Sequence, residues 1–312
     1  MPVDLGRVAV AAWDLIPKMP EGLVRGAFDI GFRAAARMNK GGTAQLRANL
    51  ARVRPRASTA ELDRLAREGM REYGRYYAET FMLAKFATPE KLADRVRAIH
   101  TETSEEDLRT RSVVLALGHT GNWDIAGAWV TAHLNTVLTV AEKLKPESLF
   151  RAFLDFRESL GMEVIPLEKG QNVFRKLLSR SIAGKRVVAL LADRDLTRGG
   201  IEVRLAGEPA LFAVGPAALS LKGKMPLYFV GIRSDRITGR DGRKRWGIEL
   251  EFRGPITLPD DVEGNEVAAL TQAWVDELTD YITTHPTSWH LLQKVFVADL
   301  DPERLARRAS AN

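Results

Sequence analysis

Short apolar runs alternate with longer amphipathic runs along most of this chain, and this alternation constrains its fold more than any other feature. Residues 112–117 form a mostly apolar run that stops at Gly118, which is typical of a buried strand. Similar runs predict strands at 136–140, 163–166, 186–191, 201–205, 227–232 and 245–252. Helical patterning covers 56–86, 122–134, 146–160, 171–183, 215–221 and 264–284. We therefore expect an α/β fold with a largely parallel central sheet flanked by helices.

Composition supports a single folded domain over residues 1–312 with a helical N-terminal extension. Hydrophobic residues make up 45% and charged residues 28% of the chain, which excludes disordered and coiled-coil classes. The absence of cysteine excludes disulfides, thiolate metal sites and a cysteine nucleophile, and it fits a reducing compartment. The charged, glycine-containing segment 234–244 is predicted to be a solvated hairpin or flap.

The net charge of +6 is concentrated at one end of the chain. Residues 1–56 contain ten basic and four acidic side chains, whereas the other 256 residues carry 36 of each sign. Two amphipathic helices are predicted in this segment, separated near Pro17 and Pro20, and no apolar run is long enough to span a bilayer. A basic amphipathic segment can lie in an anionic membrane interface. The alternative is a pair of helices that cover the core and keep their charges in water.

The main chemical candidate is the sequence GHTGNWD, residues 118–124, which follows the strand predicted at 112–117. His119 would lie at the carboxyl end of that strand, where open α/β sheets bind ligands. Asn122 can cap the next helix, with Asp124 in its first turn. If the chain folds back there, Asp124 would hold one imidazole nitrogen of His119 and leave the other as a general base. The alternative is that His119 and Asp124 only cap the helix.

Several other classes of site lack their sequence signatures. There is no Gly-x-Ser-x-Gly, Walker or Gly-x-Gly-x-x-Gly motif. His285 and His290 do not form a His-Glu-x-x-His arrangement, so no metal site is expected. A basic nucleic-acid-binding protein remains a remote alternative that rests on the pI of about 9.6 alone, because RNP and zinc-finger patterns are absent.

The wider context of the motif resembles a known family. The pattern His-x-x-x-x-Asp is similar to that of the late lipid A acyltransferase superfamily, and residues 118–127 resemble its actinobacterial branch, the phosphatidylinositol mannoside acyltransferases. Further blocks of this resemblance are AEKLKPESL (141–149), FRESLG (156–161), ADRDLT (192–197), GEP (207–209), GPA (215–217), HP (285–286) and WH (289–290). They occur in the family's order from about residue 73 to residue 290.

The resemblance implies a glycerolipid-acyltransferase-like fold and an acyl transfer from acyl-CoA, with palmitoyl-CoA as the expected donor, to the 6-hydroxyl of a mannose of phosphatidylinositol mannoside. No cofactor is implied, since acyl-CoA is a co-substrate. His119 would be the general base and Asp124 would orient it. Asp193 occupies the position of the family's second acidic element, where relatives often carry glutamate. Because aspartate is one methylene shorter, we do not expect Asp193 to reach His119 unless a water bridges the two side chains or the strand is shifted.

The resemblance also suggests residues that bind substrate. Arg157 and Arg194 would lie near a phosphate or the oxyanion, although Arg157 could equally be a solvated helix position. Glu142, Lys143 and Lys145 would line the acceptor headgroup, with ordinary surface charge as the alternative. His290 would shape the acyl or headgroup site, or be a satisfied core histidine.

These expectations also imply a location. The basic helices of residues 1–50 would dock on an anionic membrane, and the cytosolic donor would place the protein at the cytoplasmic face of the plasma membrane. The nearest alternatives are the same fold acting on another lipid acceptor and the same fold using an acyl-carrier protein as donor.

Overall fold

A computed structural model describes residues 13, 15–38, 40–143, 145–168, 171–195, 199–259, 262 and 264–301. Within these residues the α-helices are α1 (Glu21–Met38), α2 (Gly42–Val53), α3 (Thr59–Met82), α4 (Pro89–Ala93), α5 (Glu102–Thr110), α6 (Trp123–His133), α7 (Glu147–Ser159), α8 (Val173–Ala183), α9 (Gly215–Gly223) and α10 (Glu266–Thr284). Short 3-10 helices cover Ile16–Lys18, Leu83–Lys85, Pro286–Ser288 and Val297–Asp299.

The strands form one large sheet and one small ribbon. They are β1 (Val96–Ile99), β2 (Val113–Leu117), β3 (Val137–Glu142), β4 (Glu163–Leu167), β5 (Val187–Leu191), β6 (Ile201–Leu205), β7 (Glu208–Phe212), β8 (Leu227–Thr238) and β9 (Lys244–Ile256). The seven-stranded sheet has the order β1-β9-β8-β2-β5-β3-β4, and β6 pairs with β7 in a separate antiparallel ribbon. Strands β8, β2, β5, β3 and β4 run parallel, whereas β9 is antiparallel to β8. The predicted α/β class with a largely parallel sheet is confirmed.

Strand β2 shows why this part of the sequence is so apolar. All five of its residues are buried, because helices cover both faces of the parallel sheet. Val114 and Ala116 pack into a core shared with α9 and α10, where Leu219 and Trp274 are fully buried. Leu115 and Leu117 face the other way and pack with residues of α3 and α6. Alternate side chains of one strand thus supply two separate cores.

Several short elements of the structure were not predicted, whereas the hairpin was. Strand β1 and helix α5 were not predicted, because β1 has only four residues and α5 has few apolar ones. Strand β7, which begins at Glu208, was not predicted either. The segment 234–244 is indeed a hairpin, although most of it lies within the long strands β8 and β9.

The N-terminal region is helical and partly integrated into the core. Part of the first predicted amphipathic helix falls in residues 1–12 and 14, which lie outside the described residues; α1 corresponds to the second. The proposed limit at residue 50 falls inside α2, whose Leu46 and Leu50 are fully buried. Among the described residues of this region, five basic side chains form ion pairs within the fold: Arg25, Arg33, Arg47, Arg52 and Arg54. No helix among the described residues is both long and apolar enough to cross a membrane.

Candidate active site

Two neighbouring parallel strands bring the chemical groups of this site together. Leu117 of β2 is the register partner of Leu191 of β5, and both strands end at these residues. His119 and Asp193 each lie two residues beyond, so they leave the sheet edge side by side. Glu142 ends the next strand, β3, at the same edge. The site is therefore at the carboxyl ends of parallel strands, where the sequence placed it.

His119 is held by a buried carboxylate. Its Nδ1 lies 2.5 Å from Asp193 Oδ1, and its backbone N–H donates to Asp193 Oδ2 at 2.8 Å. The indole Nε1 of Trp289 donates to the same Oδ2 at 3.0 Å, and Asp193 has no exposed surface. Burial alone would raise the pKa of Asp193, but the charge of His119 and these hydrogen bonds outweigh it and hold that pKa below its usual value. An ionised Asp193 can only accept, so Nδ1 carries a proton, and in the neutral imidazole Nε2 is the nitrogen with the free lone pair.

The predicted pairing of His119 with Asp124 is not the one found. Asp124 is buried at the start of α6, where its Oδ1 accepts from Arg157 Nε at 2.7 Å. Its Oδ2 accepts from the Tyr76 hydroxyl at 3.0 Å and lies 3.5 Å from Thr80 Oγ1. Asp124 lies in the first turn of α6, which runs away from the sheet edge. Its side chain therefore points toward α3 and α7 and away from the turn that holds His119. Asp193 makes the direct contact, without the water that its shorter side chain was expected to need.

Asn122 fixes the path of the 118–124 turn into α6, as predicted. Its side-chain oxygen accepts from the backbone N–H groups of Asp124 and Ile125, both at 3.1 Å. Gly121 has a φ of +51°, and a Cβ there would lie 2.6 Å from the backbone of Ile232, so the tight turn requires glycine. The turn also rests on the chain's C-terminal part, since the His290 N–H donates to the His119 carbonyl at 3.0 Å.

Arg157 and Arg194, the two arginines predicted to bind a phosphate or the oxyanion, lie in different surroundings. Arg157 is not a solvated helix position: its guanidinium is buried against Asp124, whose charge raises the pKa of Arg157 although burial opposes this. Arg194 Nη2 pairs with the exposed Glu142 at 3.3 Å, while its buried Nε has no hydrogen-bond partner among the described residues. Lys143 and Lys145 are exposed on the loop between β3 and α7.

His290 is a buried histidine with unusual surroundings. Its ring stacks on Tyr73 at a centroid distance of 4.9 Å and lies near Tyr76 and Trp123. Both ring nitrogens are buried without a hydrogen-bond partner in the described part of the chain. Burial lowers the pKa of His290 to about 3, so the ring is neutral at physiological pH.

An apolar cavity of about 290 Å³ begins at His119 and extends between the sheet and helices α6 and α7. Arg157, Arg194, Asp124 and Glu142 contribute to its polar part. The remaining wall is almost entirely hydrophobic and includes Leu115, Val137, Phe150, Phe153, Met162 and Leu191. Such a cavity suits a flexible hydrocarbon chain whose reactive end lies beside the histidine.

Sequence reasoning missed three residues that shape this site. Tyr76 and Glu79 of α3 bind Asp124 and Asn122, and Trp289 binds Asp193. The sequence does hold one signal in α3. Glu79 is three residues from Tyr76, so the helix places a glutamate on the same face as apolar side chains. No local pattern shows that this face meets the 118–124 turn. Among the described residues, no cluster of three or more histidine, aspartate and glutamate side chains could hold a metal ion.

Comparisons with known proteins identify the family of this chain. A family model described as bacterial lipid A biosynthesis acyltransferase matches residues 5–297. A phosphatidylinositol mannoside acyltransferase of Mycobacterium tuberculosis H37Rv is 40% identical over 96% of this chain and 91% of its own. One of Mycolicibacterium smegmatis is 39% identical over 97% of this chain and 94% of its own. Among solved structures, the translation initiation factor eIF-2B of Pyrococcus horikoshii OT3 aligns with a TM-score of 0.28 and 12% identity over 78% of this chain and 90% of that chain, values that support no inference.

The sequence matches extend over nearly the whole chain and include the turn, both strand ends and the Trp289–His290 segment. The chain therefore belongs to the bacterial lipid A biosynthesis acyltransferase family and, within it, to the phosphatidylinositol mannoside acyltransferases.

Proposed function

We propose that the enzyme moves a fatty acyl chain from acyl-CoA to the 6-hydroxyl of a mannose of phosphatidylinositol mannoside. The observation that carries this proposal is the apolar cavity that begins at the His119–Asp193 pair, because it would place a thioester carbonyl beside a base. The acceptor is inferred from the activity named for the relatives.

His119 is the general base of the proposed reaction. Its Nε2 takes the proton of the mannose hydroxyl while that oxygen attacks the thioester carbonyl and forms a tetrahedral intermediate. Collapse of the intermediate breaks the carbon–sulfur bond, and the imidazolium returns the proton to the departing CoA thiolate. Asp193 holds the tautomer and stabilises the imidazolium between the two steps.

Arg194 is the better cation for the developing oxyanion. The charge of Arg157 is already balanced by the buried Asp124. Among the described residues, by contrast, Arg194 pairs only with the exposed carboxylate of Glu142, and its buried Nε at the cavity has no hydrogen-bond partner. Arg157 then shapes the wall, and the exposed Lys143 and Lys145 attract the phosphates of the substrates. His290 helps to position the 118–124 turn, because its backbone N–H donates to the His119 carbonyl and its ring packs beside Trp123.

Helix α1 supports docking on an anionic membrane. Leu23, Ile30 and Met38 are 58%, 71% and 66% exposed, and they lie within about 80° of one another on a helix with 3.6 residues per turn. Such a row of apolar side chains, flanked by basic ones, suits the headgroup boundary of a bilayer. Because acyl-CoA is cytosolic, docking would occur at the cytoplasmic face of the plasma membrane.

Mass spectrometry of the products tests the reaction. The protein is given palmitoyl-CoA and phosphatidylinositol mono- or dimannoside, beside a His119→Ala variant and a His133→Ala control at the far end of α6. We expect a product one acyl chain heavier from wild type and H133A, and none from H119A. An acceptor with 6-deoxymannose should remain unmodified.

Three results would overturn parts of this proposal. Equal product from H119A and wild type would remove His119 as the base. Release of CoA without acylated mannoside would show that the acceptor is a different molecule, and product formed only from an acyl-carrier-protein thioester would replace the donor.

Vesicle flotation tests the docking surface separately. Leu23→Glu and Ile30→Glu change exposed side chains only, so the fold should tolerate both. We expect the double variant to float less with anionic vesicles than wild type, whereas Ile182→Glu, at a 69% exposed residue of α8, should float normally. Equal flotation of all three proteins would refute docking through α1.

A further inference from the structure

Glu79 of α3 is a fully buried carboxylate that takes no part in the chemistry proposed above. Its Oε2 accepts from the side-chain amide of Asn122 at 3.3 Å, and its Oε1 accepts from Arg25 Nη1 at 2.9 Å. Burial raises the pKa of Glu79, and the positive charge of Arg25 opposes that rise. A buried charge is tolerated only where it is paired and hydrogen-bonded, and Glu79 meets both conditions.

The Asn122 amide is oriented by these contacts. Its nitrogen donates to Glu79 and, at 3.3 Å, to the Tyr76 carbonyl, while its oxygen caps α6 through the N–H groups of Asp124 and Ile125. If the amide rotated by 180°, nitrogen would face those two donors and the cap would be lost. Glu79 therefore selects the orientation that keeps the 118–124 turn in place.

Arg25 connects this arrangement to the N-terminal helix. It lies on the inner face of α1, and its Nε also donates to Glu21 at 2.9 Å. Glu21 in turn accepts from Arg95 at 2.9 Å, which fixes the start of α1 against the body of the protein. The outer face of the same helix carries the exposed Leu23 and Ile30.

We propose that Glu79 is a positioning residue for the 118–124 turn and that Arg25 makes α1 part of the active-site framework as well as a membrane anchor. The proposal rests on the proposed function for its link to acyl transfer. An anchor alone would change only how the enzyme finds a membrane-bound acceptor. A helix that also positions the turn changes the rate of the chemical step after the substrates are bound.

The isosteric variant Glu79→Gln tests the link directly. Glutamine offers one acceptor and one donor in place of two acceptors, so either Arg25 or Asn122 loses its partner. Arg25→Met removes the link from the other side, and Arg25→Lys keeps a cation as a conservative rescue. Arg33→Met is the matched control, since it removes the same charge from α1 at an exposed pair with Asp29.

Two measurements decide the outcome. Hydrogen exchange by mass spectrometry on peptides spanning residues 120–130 should be about tenfold faster in E79Q and R25M than in wild type, and unchanged in R33M. Steady-state kinetics with vesicle-borne mannoside should show kcat lowered about tenfold in E79Q and R25M and partly restored in R25K, while any effect of R33M is confined to KM.

Wild-type exchange in both E79Q and R25M would overturn the proposal, as would a change in KM alone. Circular dichroism at the assay temperature shows whether each variant is folded, and E79Q keeps the test valid if R25M unfolds. A wild-type enzyme that acylates no mannoside would refute the proposed function instead, because the exchange measurement does not depend on any substrate.

Discussion

Asp193→Asn is the substitution that tests the proposed base most sharply. Asp193 Oδ2 accepts from two groups that can only donate, the His119 backbone N–H and the Trp289 indole N–H. The amide oxygen of an asparagine must therefore take the Oδ2 position, which turns its NH2 group toward His119 Nδ1. That nitrogen would then have to accept, so the proton of the ring would move to Nε2. The nitrogen that faces the substrate would lose the lone pair that a base needs.

The size of the effect follows from the role of the base. Positioned general-base catalysis contributes about 10²–10⁴-fold to rate, and the wrong tautomer removes that contribution. At about 1.4 kcal/mol for each factor of ten, the barrier should rise by about 3–5 kcal/mol. Substrate binding should change little, because Asp193 is fully buried behind the histidine.

The assay is kcat for release of CoA, with acylated mannoside quantified by mass spectrometry at saturating donor. Asp193→Glu is the matched control, since a carboxylate can only accept and preserves the tautomer, although its extra methylene costs about 1–3 kcal/mol of stability in a packed site. We expect D193E to be at least tenfold faster than D193N. A D193N enzyme that keeps more than about a third of wild-type kcat would refute the tautomer argument.

Three further predictions concern the surroundings of the base. Asp124→Asn should destabilise the protein by about 3–5 kcal/mol in urea denaturation, because it leaves the Arg157 guanidinium buried without a counter-charge. Adding Arg157→Met should recover most of that loss of stability. A single Asp124→Asn variant as stable as wild type would contradict this prediction. Because burial holds the pKa of His290 at about 3, below its ordinary 6.5, the unfolded chain binds a proton that the folded protein excludes, so stability is full above pH 6.5 and falls toward pH 3. Between pH 7 and pH 5 the free energy of unfolding should fall by about 2 kcal/mol more for wild type than for His290→Gln in the same urea denaturation. An equal fall in both proteins would refute the low pKa of His290. Gly127→Val should shift donor preference to shorter acyl-CoAs in a competition assay, because a Cβ at Gly127 lies 2.6 Å from Met162 Sδ and would push it into the cavity; an unchanged chain-length profile would count against the cavity as the acyl site.

Much of the fold was predictable from local patterns. The strand at 112–117 and the cap at Asn122 depend on neighbouring residues only, and both are found as β2 and as the start of α6. Elements with weak local patterns were missed: α5 carries mostly polar residues, and β1 is stabilised by pairing with β9, which lies about 150 residues later. A strand of four residues gains most of its stability from such pairing, which no local pattern reveals.

The candidate residues were predictable as a set, but their pairing was not. His119, Asp124 and Asp193 were all expected near the site, and all three are there. The partner of His119 was expected to be the nearer residue in sequence, Asp124. It is Asp193 because β2 and β5 are neighbours in exact register, a fact that depends on the order of strands in the sheet.

The sequence by itself determined the class of fold, the position of His119 at a strand end and the membership of the family, since each depends on short-range patterns of residue type. Only the tertiary structure decided which carboxylate orients the histidine, that Arg157 neutralises Asp124, and that Glu79 joins α1 to the 118–124 turn. These contacts join residues 33 to 74 positions apart in the chain. Their geometry depends on how helices and strands pack against one another, which is set by the whole core and not by any segment of it.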